Sequence, residues 1–328
     1  MDYWAQSTPG IRYVRVELPA RATGGRVLEF GDAWYSEAPE SRPGPSVWQL
    51  VANRVRLHAM VQQQEHGMVY LEVDDDYTRF HRQYVRGAWV ERDSDADSYV
   101  SSVECHRAAA ELADGVIVST PYLADLYGEL NDNVYICRNG ADPADWPELP
   151  EREADEPFRV IFAGSPNPND LMLVRRAMTW AAAQPGVEAH MICDYDPKWP
   201  GVRVHGWIDS LDRYRQVLVG LKPDLGLRPI ELTPFSRGKS DLKVLEYAMA
   251  GALACVTPSD PYKDWSGTEV LTAFDAKAWE QQVKWAVKNR DEVRERARAV
   301  RELILQTRSL DAIKEDWGAV EDVARAVM

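Results

Sequence analysis

The stretch from Leu227 to Thr257 reads Leu-Arg-Pro-Ile-Glu-Leu-Thr-Pro-Phe-Ser-Arg-Gly-Lys-Ser-Asp-Leu-Lys-Val-Leu-Glu-Tyr-Ala-Met-Ala-Gly-Ala-Leu-Ala-Cys-Val-Thr. Its pattern predicts the end of a strand, a loop, a helix from Ser240 to Ala250 and a buried parallel strand from Ala252 to Val256. Ser240 suits the N-cap, because its hydroxyl can accept from a free backbone N–H of the first turn. Gly251 suits the left-handed residue that closes a helix.

The predicted helix has an apolar and a polar face. The apolar face recurs at i, i+3 and i+7 and consists of Leu242, Leu245 and Met249. The polar face recurs at i, i+4 and i+7 and consists of Lys239, Lys243 and Glu246. An ordinary α/β helix with a Lys–Glu surface pair has the same pattern, so the pattern alone leaves the chemistry open.

The start of this helix is suited to a phosphate. Free N–H groups and the positive end of the helix dipole attract an anion there. Gly238 lets the backbone approach closely, and Lys239 adds a full charge. Glu246 lies about 9 Å further along the axis. A carboxylate there can accept from the ribose hydroxyls of a nucleotide whose diphosphate sits on the helix tip.

These residues resemble the nucleotide-sugar motif of GT-B glycosyltransferases, in the large family with a Glu-seven-residues-Glu motif. The resemblance rests on Pro229, Phe235, the Lys239-Ser240 pair, Lys243, Glu246-Tyr247 and Gly251. It implies that Glu246 is the second motif Glu, which binds the ribose. The first Glu would fall on Gly238, and one bacterial and phage subgroup with a Phe…Lys-Ser signature departs in the same way.

The resemblance also implies the fold and the donor. The expected fold is α/β and GT-B, with two Rossmann-like domains whose parallel sheets face a central cleft. The expected donor is a UDP- or GDP-sugar, with no other cofactor and no metal. Residues 1–150 would form the acceptor-side domain, onto which a helix at 310–327 crosses back. Residues 151–309 would bind the nucleotide sugar.

Composition fits a two-domain chain of 328 residues, with 45% hydrophobic and 27% charged residues. The net charge of −14 works against broad contact with nucleic acid. The sequence contains no apolar run long enough to predict a membrane-spanning helix, and the first ten residues do not resemble a signal peptide. The cysteines are scattered, which argues against zinc and disulfides and favours a cytoplasmic location: Cys105, Cys137, Cys193 and Cys255.

The first domain contains a predicted strand from Ile11 to Leu18, because polar and apolar residues alternate there. Arg21, Gly24 and Gly25 follow, and two adjacent glycines mark a loop where the backbone comes close to something. A plain tight turn is the alternative. By resemblance this is an acceptor-side loop at the cleft.

A second predicted strand, Met68 to Val73, ends in Asp74, Asp75 and Asp76, which we call the acidic turn. Neighbouring carboxylates must face water, a cation or a partner, and ligands of open α/β sheets sit at the carboxyl ends of strands. The turn is interpreted as a metal-binding Asp-x-Asp, as acceptor-side carboxylates with Asp75 or Asp76 orienting a hydroxyl, or as a helix-capping turn. His81 is a further candidate, although a lone His is more often structural.

The second domain contains a predicted strand from Phe158 to Ala163 that leads into Gly164-Ser165. By resemblance this turn passes near the donor phosphates, although no basic residue follows before Arg175. Trp207 lies where relatives hold the donor base and is expected to stack on it. The donor-side residues are therefore Gly164, Ser165, Trp207, Phe235, Gly238, Ser240, Lys243 and Glu246.

The predicted function is transfer of a sugar from a nucleotide sugar to a protein or glycan, with Lys239, Asp75, Asp76 and His81 as catalytic candidates. Two alternatives stay open: glycosylation of a modified base in DNA, and a degenerate scaffold that binds nucleotide sugar without turnover. The chain holds 52 acidic and 38 basic residues, which disfavours DNA. A local basic track is still conceivable at Arg12, Arg15, Arg21 and Arg26. Aromatic residues after the acidic turn favour sugar rings or a peptide: Tyr77, Phe80, Tyr84 and Trp89.

Overall fold

The computed structural model describes residues 1–5, 9–29, 41–49, 51–78, 93–153, 155–165, 167–265 and 267–326, with side chains from Val100 onward in the 93–153 stretch. The chain divides into two compact units. Unit 1 comprises Met1–Gly140, Arg237–Ser240 and Arg308–Met328, and unit 2 comprises Ala141–Ser236 and Asp241–Thr307.

Unit 1 is built on a six-stranded sheet in which every pairing is parallel. The strands are β1 Asp2–Ala5, β2 Arg26–Glu29, β3 Ser46–Gln49, β4 Val69–Val73, β5 Gly115–Val118 and β6 Val134–Ile136. Their order is β2-β1-β3-β4-β5-β6. Four strands, β1, β3, β4 and β5, are buried along their whole length, as expected for parallel strands covered on both faces.

Helices cover this sheet, and two of them begin after residues whose side chains are typical of an N-cap, Asn53 and Thr120. They are α1 Pro9–Arg12, α2 Leu18–Thr23, α3 Arg54–Gln64, α4 Asp93–Leu112, α5 Pro121–Tyr127 and a C-terminal helix Leu310–Ala326. The Asn53 side chain accepts from the Arg56 N–H at 2.9 Å, and the Thr120 hydroxyl accepts from the Leu123 N–H at 3.3 Å. α4 begins at Asp93, 17 residues after the acidic turn ends at Asp76.

The strand predicted from Ile11 to Leu18 is wrong. This segment is helical throughout, with a π-helical turn at Tyr13–Glu17 between α1 and α2. The alternation misleads because the segment is covered on several sides, so that both its apolar residues and the charged Arg15 are buried. Alternation predicts a strand only where one face meets water.

Unit 2 is built on a second six-stranded parallel sheet. Its strands are β7 Phe158–Ala163, β8 Val187–Ile192, β9 Arg203–Val204, β10 Leu225–Arg228, β11 Leu253–Val256 and β12 Val270–Thr272. Their order is β12-β11-β10-β7-β8-β9. The chain reverses its direction of travel across the sheet between β7 and β10. In open α/β sheets the ligand crevice lies at such a switch point, outside the carboxyl ends of the strands.

The helices of unit 2 are α6 Pro168–Ala182, α7 Leu211–Gly220, α8 Leu242–Met249, α9 Ala276–Lys288 and α10 Arg290–Thr307. Ser210 caps α7, because its hydroxyl accepts from the Arg213 N–H at 3.3 Å. Asn167 caps α6, because its side chain accepts from the Asn169 N–H at 3.0 Å. α9 and α10 follow each other directly and are separated only by Asn289.

The helix of the opening stretch is shorter than its sequence predicts. α8 begins at Leu242, its N-cap residue is Asp241, and that side chain makes no capping hydrogen bond. Ser240 therefore does not cap the helix, and Lys239 precedes it. Gly251 does take the left-handed conformation, with a φ of 80°. Among the described residues, no helix is both long enough and apolar enough to cross a membrane.

Candidate functional site

The carboxyl ends of β7 and β10 form the switch point of unit 2, and Tyr247 of α8 joins them. Its hydroxyl accepts from the Ala163 N–H at 3.0 Å and donates to the Leu227 carbonyl at 2.9 Å. A Cβ at Gly226 would overlap the Tyr247 ring, so glycine is required for this contact. The contact fixes α8 beside the turn that begins at Gly164.

Three polar side chains meet at this position, and we call Tyr214, Lys243 and Glu246 the donor-side cluster. The Tyr214 hydroxyl donates to Glu246 Oε2 at 2.7 Å, and Lys243 Nζ donates to the same hydroxyl at 3.2 Å. Lys243 also forms an ion pair with Glu246. Both charged side chains are mostly buried, with exposed fractions of 18% and 11%. Burial raises the pKa of Tyr214 well above its usual value, and the Glu246 charge adds to the effect.

Lys243 lies directly against the glycine turn. Gly164 has a φ of 142°, and a Cβ there would lie 3.4 Å from Lys243 Cε and 3.8 Å from Lys243 Nζ. Ser165 follows in an exposed position. The structure thus brings together Gly164, Lys243 and Glu246, three of the residues that the sequence assigns to donor binding.

Arg228 is a residue of this edge that the sequence reasoning missed. It ends β10, and its side chain lies near Tyr262 and Asp170. Burial alone would lower the pKa of Arg228, but these two neighbours raise it on balance. The signal was present, since Arg228 is the last residue of a strand at a predicted ligand edge.

Trp207 lies elsewhere on unit 2, beside an open depression of about 540 Å³. Its ring is 52% exposed, which leaves a face free to stack. The depression is lined by His205, Trp207, Ile208, Asp209, Ser210, Arg213 and Val217. His205 is held by His190, whose Nδ1 lies 2.9 Å from His205 Nε2, and burial lowers the pKa of both imidazoles. Phe235 is buried, which indicates that its ring has a packing role.

The segment Arg237–Ser240 belongs to unit 1, whereas Lys243 and Glu246 belong to unit 2. Lys239 forms an ion pair with Asp75. Arg237 stacks on the ring of Tyr122 at 4.4 Å. The prediction that Lys239, Lys243 and Glu246 share one helix face is therefore wrong, because the helix begins after Lys239.

Gly238 is pressed against the acidic turn. A Cβ at Gly238 would lie 2.9 Å from the Asp76 backbone nitrogen, 3.1 Å from Asp76 Cβ and 3.3 Å from Leu123 Cδ2. Ordinary Cβ contacts are longer than this, so a larger residue would have to displace the backbone. The position where the family motif carries its first Glu is thus closed to a side chain in this chain.

The three carboxylates of the acidic turn differ in their surroundings. Asp76 is fully buried, and its Oδ1 accepts from the Thr78 N–H at 3.1 Å and from the Thr78 hydroxyl at 2.7 Å. Asp75 is also buried, and burial raises its pKa to about 6 although the Lys239 ammonium opposes the shift. Asp74 is half-buried and accepts from the Tyr77 hydroxyl at 3.2 Å, and burial raises its pKa. Asp76 therefore behaves as a turn-forming residue, and Asp74 is the most accessible of the three.

A second ion pair lies in the core beneath this turn. Arg15 and Glu72 are both fully buried, and Arg15 Nε donates to Glu72 Oε1 at 2.6 Å. Arg15 also donates to the Cys137 carbonyl at 2.5 Å and to Asn139 Oδ1 at 3.2 Å. Burial raises the pKa of Glu72 to about 7, although Arg15 opposes the shift.

His106 and Tyr127 support the acidic turn from below, and no local sequence pattern points to either residue. His106 Nε2 lies 2.7 Å from the Tyr127 hydroxyl, which donates to the Asp75 carbonyl at 3.2 Å. Burial lowers the pKa of His106 to about 4, which keeps the imidazole neutral near pH 7. Within the described stretches, no group of His, Cys, Asp and Glu side chains is arranged to hold a metal ion.

The loop that was predicted on the acceptor side, at Arg21, Gly24 and Gly25, does not lie at the carboxyl edge of the sheet. Gly24 ends α2 with a φ of 72°, and Gly25 leads into β2 beside Met1 and the Tyr3 ring. Because β2 begins there, Gly24 and Gly25 lie at the amino edge of the sheet, opposite the edge of the acidic turn. Arg21 is exposed on α2. His81 lies outside the described residues.

The basic track considered for DNA is largely neutralised. Arg15 is buried, as described above. Arg12 pairs with Glu17 and Glu29, both at 2.8 Å, and Arg26 pairs with Asp2 at 2.9 Å. Phosphate contacts need cations that displace counterions, and an acidic partner beside each of these three arginines offsets its charge.

Comparisons with known proteins bear on the fold. No family model and no curated protein matches the chain. A crystal structure of HepE from Anabaena in complex with UDP-glucose matches with a TM-score of 0.65 and 10% identity over 98% of this chain and 99% of that chain. The structure of a Rickettsia africae glycosyltransferase matches with a TM-score of 0.65 and 9% sequence identity over 99% of this chain and 97% of that chain.

A Listeria monocytogenes protein assigned as a UDP-N-acetylglucosamine 2-epimerase matches with a TM-score of 0.58 and 9% sequence identity over 96% of this chain and 94% of that chain. At such identities a likeness establishes the fold. The α/β GT-B fold class predicted from the sequence, with two units on parallel sheets, is confirmed.

Proposed function

We propose that this chain is a glycosyltransferase that moves a sugar from a UDP- or GDP-sugar to a protein or glycan acceptor. The observation that carries the proposal is the donor-side cluster at the switch point of unit 2. There Glu246 is held in place by Tyr214 and Lys243, beside the glycine turn at Gly164. An ionised carboxylate in this position is a fit partner for ribose hydroxyls.

The solved structures with this fold support the choice of donor. The HepE structure contains UDP-glucose, and the Rickettsia africae protein is called a glycosyltransferase. The membership in the Glu-seven-residues-Glu family is part of the proposal, and Gly238 stands where that family has its first Glu. The subgroup that shares this departure is bacterial and phage, which is the origin we propose.

On the acceptor side we propose Asp74 and Asp75 as the carboxylates that face a sugar or peptide hydroxyl, with transfer that needs no metal. The two hydrogen bonds that Thr78 donates to the Asp76 carboxylate favour Asp74 and Asp75 over it. A protein or glycan is favoured over DNA because the chain is acidic and three of the four arginines considered for DNA are paired or buried.

The test is calorimetry with UDP and GDP, followed by incubation with radiolabelled UDP- and GDP-sugars and candidate acceptors. We expect one nucleotide to bind, and label to enter a protein or glycan fraction. The matched variant is Glu246→Ala, which should weaken nucleotide binding by about 1.5–3 kcal/mol, the worth of a hydrogen bond to a charged group. Binding that is unchanged in this variant contradicts the role of Glu246.

Other outcomes assign the chain elsewhere. Binding without transfer or donor hydrolysis indicates a scaffold that has lost turnover. A changed sugar still attached to the nucleotide indicates an epimerase, the activity assigned to the Listeria monocytogenes protein of this fold. Label in duplex DNA that contains 5-hydroxymethyl bases, with a steep salt dependence, indicates a DNA-modifying enzyme.

A further inference from the structure

The depression beside Trp207 adjoins the donor-side cluster, because helix α7 contributes to both. Tyr214 of α7 donates to Glu246 in the cluster, and Arg213, the residue before it, lines the depression. A nucleotide whose ribose lies at Glu246 can therefore place its base in the depression. The volume of about 540 Å³ and the half-exposed Trp207 suit a flat aromatic ring that stacks.

Among the described residues, the charged side chains that line the depression are Asp209 and Arg213. Asp209 precedes the N-cap residue Ser210, and Arg213 lies in the first turn of α7. Both side chains are exposed, and neither forms a hydrogen bond or an ion pair with another described residue. The depression thus offers a ligand one carboxylate and one guanidinium.

The imidazole of His205 is a third polar group of the lining, and its neighbours fix where its proton lies. His190 Nε2 lies 3.4 Å from Glu188 Oε2, and an ionised carboxylate only accepts, so this nitrogen carries a proton. His190 Nδ1 is then an acceptor, and His205 Nε2 donates to it at 2.9 Å. Burial lowers the pKa of both imidazoles, which keeps them neutral near pH 7. His205 Nδ1 is therefore a further acceptor, which favours a ligand rich in N–H groups.

Guanine is the base whose polar edges match these groups. Its N1–H and its 2-amino group are adjacent donors, which the two oxygens of one carboxylate can accept together. Its O6 and N7 are adjacent acceptors, which the fork of a guanidinium recognises. Uracil has a single N–H between two carbonyl oxygens, so a carboxylate that faces this edge repels the carbonyls.

We propose that the depression beside Trp207 selects guanine, with Asp209 accepting from N1–H and the 2-amino group and Arg213 donating to O6 and N7. The inference rests on the proposed function and narrows its donor from a UDP- or GDP-sugar to a GDP-sugar. It makes Asp209 the residue that discriminates between bases, because the carboxylate attracts the donor pair of guanine and repels the carbonyls of uracil.

The experiment measures the binding of GDP, inosine diphosphate and UDP by calorimetry. Inosine diphosphate is the matched probe, because its base keeps the N1–H, O6 and N7 of guanine and lacks only the 2-amino group. We expect the wild type to bind GDP about 10- to 100-fold more tightly than inosine diphosphate, as for one hydrogen bond to a charged group. UDP should bind more weakly than either.

Two variants separate the two edges of the base. Asp209→Asn turns one acceptor oxygen into a donor, so GDP should bind about 10- to 100-fold more weakly and lose its advantage over inosine diphosphate. Arg213→Gln removes the fork, and it should weaken both ligands by the same factor because both carry O6 and N7. The control is Asp212→Asn, a neighbouring exposed carboxylate outside the lining, which should change neither affinity.

The outcomes distinguish this assignment from the proposed function. A wild type that binds UDP as tightly as GDP overturns the selection of guanine and leaves the glycosyltransferase proposal standing. A preference for GDP over inosine diphosphate that persists in Asp209→Asn overturns the role of Asp209. A wild type that binds none of the three nucleotides overturns the proposed function and this assignment together. The wild-type comparison holds without any variant, and thermal unfolding confirms that each variant keeps its fold.

Discussion

Gly238 offers the sharpest test of the packing at the acidic turn. A methyl group there would lie 2.9 Å from the Asp76 nitrogen, against 3.4–4 Å for ordinary contacts, so the turn must shift by roughly half an ångström. Asp76 cannot move alone, because Thr78 donates to its carboxylate and its own N–H donates to Asp75 Oδ1 at 3.2 Å. We expect Gly238→Ala to lower the free energy of unfolding by about 1–3 kcal/mol, the usual cost of overpacking.

Gly238→Glu, which restores the residue of the family motif, should be worse. It adds a larger side chain and a third carboxylate beside Asp75 and Asp76, and like charges in a buried site repel strongly. Its excess loss of stability over Gly238→Ala should shrink as the pH falls, because protonation of the new carboxyl removes the repulsion.

The assay is urea unfolding followed by circular dichroism at several pH values. The control is Gly318→Ala in the C-terminal helix of the same unit, where a Cβ meets nothing within 4 Å. Because alanine favours a helix more than glycine does, this control should gain up to about 1 kcal/mol. Wild-type stability in both Gly238 variants would refute the packing argument and leave the missing motif Glu unexplained.

Three further predictions concern other parts of the molecule. Tyr214→Phe should lower the free energy of unfolding by about 1–3 kcal/mol, because Glu246 loses a buried hydrogen-bond donor. Tyr195→Phe, on an exposed ring, should leave the free energy of unfolding unchanged. Equal urea midpoints for the two variants would contradict this prediction. Burial raises the pKa of Glu72 from 4.5 to about 7, so the native state binds more protons than the unfolded state between these pH values. The free energy of unfolding therefore falls as the pH rises through that window. Glu72→Gln should unfold more easily than the wild type but with a shallower dependence on pH, which thermal unfolding from pH 4 to 8 measures. Transfer activity should survive EDTA, and an activity that chelation abolishes and Mn²⁺ or Mg²⁺ restores would make the acidic turn a metal site.

Several elements followed from local sequence because their causes are local. The apolar run from Val160 to Ala163 lies in the buried parallel strand Phe158–Ala163, because such a run is typical of a strand covered on both faces. Asn53, Thr120 and Ser210 cap helices through hydrogen bonds to residues three positions later. Such bonds close within one turn and need no tertiary partner. The same holds for Gly251, whose positive φ ends α8.

The candidate site was predicted in its residue types but not in its pairings. Lys239, Lys243 and Glu246 were expected on one face, and only the last two meet. Lys239 instead pairs with Asp75, 164 positions away in the chain. Arg228 was indicated only by its position at the end of a strand, and no local pattern indicated His106, because its partner Tyr127 lies on another helix.

The sequence alone determined that this chain forms two parallel α/β units and that a nucleotide-type motif lies near Glu246, because hydrophobic period, caps and short motifs are written in neighbouring residues. Only the tertiary structure decided which cation faces the glycine turn, that Arg15 is buried against Glu72, and that Gly238 has no room for a side chain. These outcomes depend on which distant segments pack together. A buried charge or a missing Cβ is favourable only when those neighbours are in place.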